Sequence, residues 1–173
     1  MIKRVFINFL RKTPLISLAN KIMNLKYSSR KKKALKEGKS DIEAVYNTEF
    51  FRENLEVSGD GAKKCVDVIY SEFEPKKVID FGCGPGIFLK NFEEKNVKIL
   101  GIDGSEAARD NAVINKNKII VADLRKDIFI PEKFDLTICF EVAEHLDNKF
   151  SETLVKNLVK NSEKVLFTAA KKG

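Results

Sequence analysis

The stretch from residue 80 to residue 86 joins one carboxylate, Asp80, to three glycines, Gly82, Gly84 and Gly86. Glycines at such a turn let the backbone bend sharply and approach a ligand, and the N–H groups of a following helix point at that ligand. A second acid, Asp103, follows about 20 residues later, the spacing expected of a carboxylate that holds a ribose. The two features together predict a site for a nucleoside.

Two other nucleotide-binding motifs do not fit this turn. A dinucleotide fingerprint needs glycine at position 87, where the chain has Ile87. The turn also does not run into the Gly-Lys-Ser or Gly-Lys-Thr of a P-loop. A nucleoside without a pyrophosphate is therefore the expected ligand, and an NAD-dependent oxidoreductase is the disfavoured alternative.

A second group of reactive residues is Glu141, Glu144 and His145, whose spacing of i, i+3 and i+4 predicts one shared helical face. That placement leaves open a metal site formed by all three residues, or a general base at His145, the only histidine of the chain. The structural alternative is two acids that favour a helix N-terminus, with His145 packed beside them. The catalytic residue is not determined by the sequence, and His145 and Glu141 are the candidates.

Short apolar runs bounded by charged residues predict the strands that must position these groups, at residues 78–81, 99–102, 119–122, 136–140 and 165–167. Helical patterns lie between them at 87–94, 106–115 and 150–161. Two more helical stretches precede the first strand: one opens at Ser40 and Glu43, and the other runs from about residue 60 to residue 73. Strands that are apolar on both faces and alternate with helices indicate an α/β fold, a doubly wound parallel sheet.

The positive charge of the chain is concentrated in its first 40 residues. This segment carries 12 Lys/Arg and one acid, whereas the rest carries 20 Lys/Arg against 24 acids, so the net charge of +7 describes a basic arm on an acidic body. We predict a helical arm at residues 1–40 and one domain at residues 41–173. The arm is expected to pack on the body, and contact with an anionic membrane surface is the alternative. RNA binding is not favoured by so acidic a body.

Three cysteines without disulfide or zinc spacing favour the cytoplasm, with peripheral membrane association left open through the arm. Cys83 and Cys139 are expected to be buried fillers rather than nucleophiles. The chain stops at Gly173, soon after the fifth predicted strand. We expect further C-terminal strands to be missing, which would leave one sheet edge unpaired. An oligomer formed through that edge is then an open alternative.

The series Asp80-x-Gly82-x-Gly84-x-Gly86 resembles motif I of the class I S-adenosylmethionine-dependent methyltransferases, close to their type 11 and type 12 domains. Three further stretches resemble motifs of the same family in the same order: residues 99–105 its second-strand motif, 121–124 the segment that meets the adenine, and 134–146 its fourth-strand motif. Four ordered motifs on four consecutive strands are far more specific than one glycine turn. The resemblance implies a Rossmann-like sheet of strand order 3-2-1-4-5.

The resemblance also implies which residues hold S-adenosylmethionine and its product S-adenosylhomocysteine. The methionine moiety would lie against Asp80 and the turn formed by Gly82, Cys83, Gly84 and Gly86. The ribose hydroxyls would bind Asp103 beside Gly104, and the adenine amino group would donate to Asp123 beside Leu124. The sulfonium would be bordered by Phe140 and Glu141, and residues 46–51 resemble a segment that caps the site.

The implied function is methyl transfer to an oxygen or nitrogen nucleophile of a small-molecule, lipid or saccharide substrate. Two alternatives remain from the sequence. One is a cofactor-binding module that is inactive as this fragment. The other follows from the stretch Glu141-x-x-Glu144-His145, which resembles magnesium-dependent small-RNA 2′-O-methyltransferases and also ubiquinone-biosynthesis O-methyltransferases.

Overall fold

A computed structural model describes residues 36, 42 and 45–169, with the side chains of residues 53–58 outside the described part. The predicted arm apart from Lys36, the residues Ser40 and Glu43 of the predicted helix start, and the last four residues lie outside the described residues. Within the described residues, none of the helices is long and apolar enough to cross a membrane.

The centre of the fold is a parallel sheet of five strands in the order β3-β2-β1-β4-β5, which confirms the predicted order. The strands are β1 (Lys77–Phe81), β2 (Lys98–Asp103), β3 (Ile119–Val121), β4 (Leu136–Phe140) and β5 (Val165–Thr168). The described helices are α1 (Thr48–Phe73), α2 (Ile87–Glu93), α3 (Glu106–Asp110) and α4 (Ser151–Lys160). Short 3-10 turns lie at Lys116–Lys118, Ala143–His145 and Asn148–Phe150.

The central strand β1 is buried on both faces, because apolar clusters cover the sheet on each side. One cluster includes Val66 and Ile69 of α1, and the other includes Leu154 and Leu158 of α4. Burial on both faces explains why the strands read as continuous apolar runs rather than as an alternating pattern. The predicted strand positions are confirmed, with small differences at the ends.

Helix α1 differs from the prediction of two separate helical stretches. It is one helix that begins after Asn47, whose Oδ1 accepts a hydrogen bond from Phe50 N at 3.0 Å. It continues through Gly59 and Gly61, which lie in open surroundings. The helix ends at Phe73, before Glu74 in the left-handed conformation. Packing of its apolar face on the sheet outweighs the helix-weakening effect of the two glycines.

Helix α3 is shorter than the predicted stretch at 106–115, because the chain turns back after Asp110. The side chain of Asn111 donates to Ala107 O at 2.8 Å and to Thr48 Oγ1 at 3.2 Å. Val113 N then donates to Pro85 O at 2.9 Å, which joins this segment to the glycine turn. These contacts replace the helical hydrogen bonds that the apolar pattern predicted.

Candidate cofactor site

A cavity of about 340 Å³ opens at the carboxyl ends of β1, β2 and β4. This is the edge at which ligands bind in doubly wound sheets. Of the predicted cofactor residues, those that line the cavity are Asp80, Gly82, Cys83, Gly84, Asp103, Gly104, Asp123, Leu124, Phe140 and Glu141. Gly86 is the exception, since it does not line the cavity.

The glycine turn needs its glycines for steric reasons. Gly82 has φ of 82°, and a Cβ added there would lie 2.3 Å from Val142 Cγ2. Gly86 has φ of 86°, and a Cβ there would lie 2.9 Å from Ile114 Cδ1. Gly86 therefore acts on the path of the chain into α2 rather than on the cavity wall.

Asp103 ties the glycine turn to the end of β2. Its Oδ2 accepts from Gly84 N at 2.8 Å, and its Oδ1 accepts from Ser105 N at 2.9 Å. Burial raises the pKa of Asp103, and the backbone N–H donors of Gly84, Ser105 and Gly104 counteract that rise. Each carboxylate oxygen can accept a further hydrogen bond, so Asp103 can hold two hydroxyl groups while it keeps the turn in place.

Asp80 is a buried carboxylate in the cavity wall, with 3% of its surface exposed. Within the described part of the chain, no hydrogen bond or ion pair reaches this side chain. Burial raises the pKa of Asp80 well above its ordinary value, and the neighbouring Asp103 raises it further. A buried carboxylate without a donor is costly, so this wall of the cavity favours a ligand that carries positive charge.

Asp123 follows β3 and forms a bidentate ion pair with Arg125. Arg125 Nε donates to Asp123 Oδ1 at 2.8 Å, and Nη2 donates to Oδ2 at 3.0 Å. The hydrogen bond from the Arg125 side chain is the main reason that the pKa of Asp123 is lowered. The guanidinium also lies over the ring of Phe150, 5.8 Å from the centroid.

The segment from Tyr46 to Phe51 covers the cavity, as the resemblance implied. Ser105 Oγ donates to Tyr46 O at 2.7 Å, which fastens the segment to the loop after β2. Phe51 is 4% exposed, and a Cβ added at Gly84 would lie 3.4 Å from its ring. The Tyr46 ring packs edge-on against the ring of His145, with centroids 6.2 Å apart.

The prediction that Glu141, Glu144 and His145 share a helical face is wrong. The helical turn there is a 3-10 segment of three residues, Ala143–His145, and Glu141 precedes it with φ of 56°. Glu141 is held instead by β5: its backbone N donates to Thr168 Oγ1 at 3.1 Å, and its Oε1 accepts from that hydroxyl at 2.9 Å. In the described part of the chain, no three His, Cys, Asp or Glu side chains come together to hold a metal ion.

Of these three residues, Glu141 and His145 line the cavity. Burial lowers the pKa of His145, and Glu141 opposes that effect by raising it. The lowered pKa favours the neutral imidazole, which is the form that can accept a proton. Cys83 and Cys139 are both buried, as predicted, and burial raises the pKa of each thiol well above its ordinary value.

Sequence reasoning missed several residues of the cavity wall. They are Ile42, Pro85, Ile87, Phe88, Arg125, Val142, Leu146, Asp147 and Phe150. Most belong to loops whose course depends on the folded sheet, so no local pattern predicts that they meet. The two-residue spacing between Asp123 and Arg125 was the one signal available, since a short loop allows such an ion pair.

Comparison with known proteins assigns the chain to a family. A family described as a methyltransferase domain matches residues 53–167. The chain is a class I S-adenosylmethionine-dependent methyltransferase domain. This match confirms the family that the four motifs resemble.

Among its curated relatives, the ubiquinone biosynthesis O-methyltransferase of Glaesserella parasuis is 37% identical over 97 residues, 49% of this chain and 41% of that protein. The enzyme of the same name from Rickettsia bellii is 27% identical over 100 residues, 51% of this chain and 40% of that protein. The similarity to this chain thus extends over about two fifths of the length of each of these relatives.

The methyltransferase fold also has solved counterparts. An S-adenosylmethionine-dependent methyltransferase from Clostridium acetobutylicum superposes with a TM-score of 0.55 at 16% identity, covering 66% of this chain and 51% of that one. At this identity the likeness concerns the fold alone.

Proposed function

We propose that this methyltransferase domain binds S-adenosylmethionine in the cavity at the carboxyl ends of the strands. We further propose that it transfers the methyl group to oxygen or nitrogen of a small-molecule, lipid or saccharide acceptor. The observation that carries the proposal is Asp80, a carboxylate that is 3% exposed, lines the cavity and receives no hydrogen bond from the described residues. A cationic ligand is the partner that such a group requires.

The remaining walls suit the other parts of the same cofactor. Asp103 retains acceptor capacity for the ribose hydroxyls, and Leu124 and Asp123 offer an apolar wall and a hydrogen-bond acceptor for the base. The cofactor supplies a methyl group on a sulfonium, which is already reactive toward a nucleophile. The contribution of the chain is to bind, orient and shield the reacting groups.

The charge of the cavity supports an acceptor that is not strongly anionic. Its acidic lining residues are Asp80, Asp103, Asp123, Glu141 and Asp147, whereas its basic ones are Arg125 and His145. The arginine is already paired with Asp123. A phosphate-rich acceptor such as RNA would meet net negative charge here, which is why a small neutral or cationic acceptor is favoured.

The test is calorimetric titration of the chain with S-adenosylmethionine and S-adenosylhomocysteine, and with NAD as the rival ligand. Asp103→Ala is expected to weaken binding of both adenosyl ligands by more than about tenfold, because it removes charge-assisted hydrogen bonds. Asp127→Ala is the matched control, since Asp127 pairs with Lys156 and Lys160 on the surface. Tight binding of NAD without affinity for the adenosyl ligands would contradict the proposal.

A second candidate is a domain that binds the cofactor without transferring its methyl group. The chain spans about 40% of the length of the curated relatives it matches, and the activity in their names belongs to those longer proteins. Methyl transfer to candidate phenols, amines and sugars by this chain would exclude the second candidate. Binding of the cofactor without transfer to any of them would support it. RNA as the acceptor would require salt-dependent RNA binding that disappears when residues 1–40 are removed.

A further inference from the structure

Asp123 and Arg125 form an ion pair on the cavity wall, in which the Asp123 carboxylate accepts three hydrogen bonds from Arg125. Asp123 Oδ1 accepts two hydrogen bonds, from Arg125 N at 3.0 Å and from Nε at 2.8 Å. Asp123 Oδ2 accepts from Nη2 at 3.0 Å, and within the described residues it accepts from no other donor. Oδ2 therefore keeps room for one more hydrogen bond, whereas Oδ1 is filled.

Asp123 and Asp103 lie at the ends of neighbouring strands, and this placement indicates which part of a ligand Asp123 would contact. Asp103 ends β2, and Asp123 follows the neighbouring strand β3, where Ala122 N donates to Asp103 O at 2.8 Å. Both side chains line the same cavity, and the apolar Leu124 lies beside Asp123. In the proposed binding mode the ribose lies at Asp103, and its base would reach Asp123 and Leu124 on the β3 side of the same cavity.

The guanidinium of Arg125 is itself held in place. It lies over the Phe150 ring, and Phe150 belongs to the loop before α4. Arg125 thus joins the loop after β3 to the loop before α4 and restricts the rotation of the Asp123 carboxylate. It also neutralises that carboxylate, so the β3 end of the cavity carries an ion pair while the β1 end carries the carboxyl group of Asp80, which is unpaired among the described residues.

We propose that Arg125 is a positioning residue that fixes Asp123 with one open acceptor oxygen, and that it thereby selects a 6-amino purine over a 6-oxo purine. The inference rests on the proposed function, because it concerns the base of the bound cofactor. An exocyclic amino group donates to Oδ2, whereas an exocyclic carbonyl places a second oxygen against it. Without Arg125, the carboxylate rotates and binds solvent, and the distinction is weakened.

The experiment compares S-adenosylhomocysteine with its 6-oxo analogue, S-inosylhomocysteine, by calorimetry. We expect the unmodified chain to bind the 6-amino ligand at least about tenfold more tightly, the magnitude of one charge-assisted hydrogen bond. In Arg125→Gln the ratio of the two affinities should fall below about threefold, chiefly through weaker binding of the 6-amino ligand. Arg125→Lys keeps the charge but not the bidentate geometry, and its ratio should lie between the two.

Lys149→Gln is the matched control. Lys149 Nζ also lies over the Phe150 ring, 4.9 Å from the centroid, but it forms no hydrogen bond with Asp123 in the described structure. In Lys149→Gln the ratio of the affinities for the 6-amino and 6-oxo ligands should equal that of the unmodified chain. The double variant Arg125→Gln with Asp123→Ala should bind S-adenosylhomocysteine no more weakly than Asp123→Ala alone, since Arg125 acts through Asp123.

The outcomes separate the inference from the function on which it rests. If the unmodified chain does not bind S-adenosylhomocysteine, the proposed function fails and the inference fails with it. If it binds but Arg125→Gln keeps the full ratio, the inference is overturned and the proposed function stands. Equal losses in Arg125→Gln and Lys149→Gln would also overturn it, because they would indicate a general effect of charge. Thermal unfolding of each variant establishes that the folded chain is what binds.

Discussion

The charge of Asp103 adds to the burial of Asp80 in raising the pKa of the Asp80 carboxyl. The two acids belong to neighbouring parallel strands, where Asp80 of β1 is in register with Gly101 of β2, two residues before Asp103. Like-charged groups in one cavity destabilise each other, and a bound cation relieves that repulsion. This relationship determines how both stability and ligand affinity should vary with pH.

Asp80→Asn is expected to stabilise the chain in the absence of ligand. A carboxyl whose pKa is raised on folding stabilises the folded state below the pKa of the unfolded chain. That contribution is lost as the pH rises through the folded pKa. Because burial raises the pKa of Asp80, keeping this carboxyl in the folded chain costs free energy at pH 7, so the variant should increase the free energy of unfolding by about 1–3 kcal/mol. Urea unfolding at pH 7 and at pH 4 measures the change, which should be smaller at pH 4.

The same variant should bind S-adenosylmethionine more weakly, because it lacks the charge that attracts the cation. A gain in stability together with a loss of affinity separates a ligand-binding carboxylate from a structural one. Asp80→Asn would count against this view if it destabilised the chain at pH 7 or left the affinity unchanged.

Affinity for S-adenosylmethionine should fall as the solution becomes more acidic. A bound cation lowers the pKa of Asp80 and Asp103, which burial raises in the free chain. Binding therefore releases protons. For each proton released, the dissociation constant should increase by about tenfold with every pH unit below the pKa of the free chain. Calorimetry at several pH values, in two buffers of different ionisation enthalpy, measures both effects. A pH-independent constant between pH 4.5 and pH 7.5 would exclude this coupling.

The sequence was sufficient for the sheet and for most of the cavity wall. Five apolar runs predicted five parallel strands, and residues next to those runs, such as Asp103 and Asp123, were brought to one edge by the strand order alone. A residue at the end of a parallel strand has its position fixed by the ladder, which is why local patterns were enough for these groups.

The sequence was not sufficient where long-range contacts replace local ones. The i, i+3, i+4 spacing of Glu141, Glu144 and His145 is typical of a helix, but two hydrogen bonds between Glu141 and Thr168 of β5 hold Glu141 outside the turn. The predicted end of α3 was also wrong. Its chain turns back and Val113 N donates to Pro85 O, a contact between distant residues that a local sequence pattern does not predict. In both places a distant strand or loop competes with the helix for the same backbone groups.

Gly82→Ala should severely destabilise the fold and abolish ligand binding. The residue has φ of 82°, and its new Cβ would lie 2.3 Å from Val142 Cγ2. Left-handed strain and overpacking together are expected to cost about 2–4 kcal/mol. Gly59→Ala is the control: it lies in α1 with open space around it and should stabilise the chain by about 0.5–1 kcal/mol. Thermal unfolding of the two variants should give shifts of opposite sign, and shifts of the same sign would refute the steric argument.

Ser105→Ala should speed the release of bound S-adenosylhomocysteine. Ser105 is 1% exposed and its hydroxyl donates to Tyr46 O at 2.7 Å, so it fastens the covering segment over the cavity. Loss of one buried hydrogen bond of this kind corresponds to about 1 kcal/mol, or about a fivefold increase in the dissociation rate if the segment must open first. Ser71→Ala removes a comparable hydroxyl bond, from Ser71 to Val68 O at 2.9 Å, at an exposed position far along α1. Stopped-flow displacement should show faster release in Ser105→Ala and an unchanged rate in Ser71→Ala. An unchanged rate in both variants would mean that the ligand leaves without opening of the segment at Tyr46.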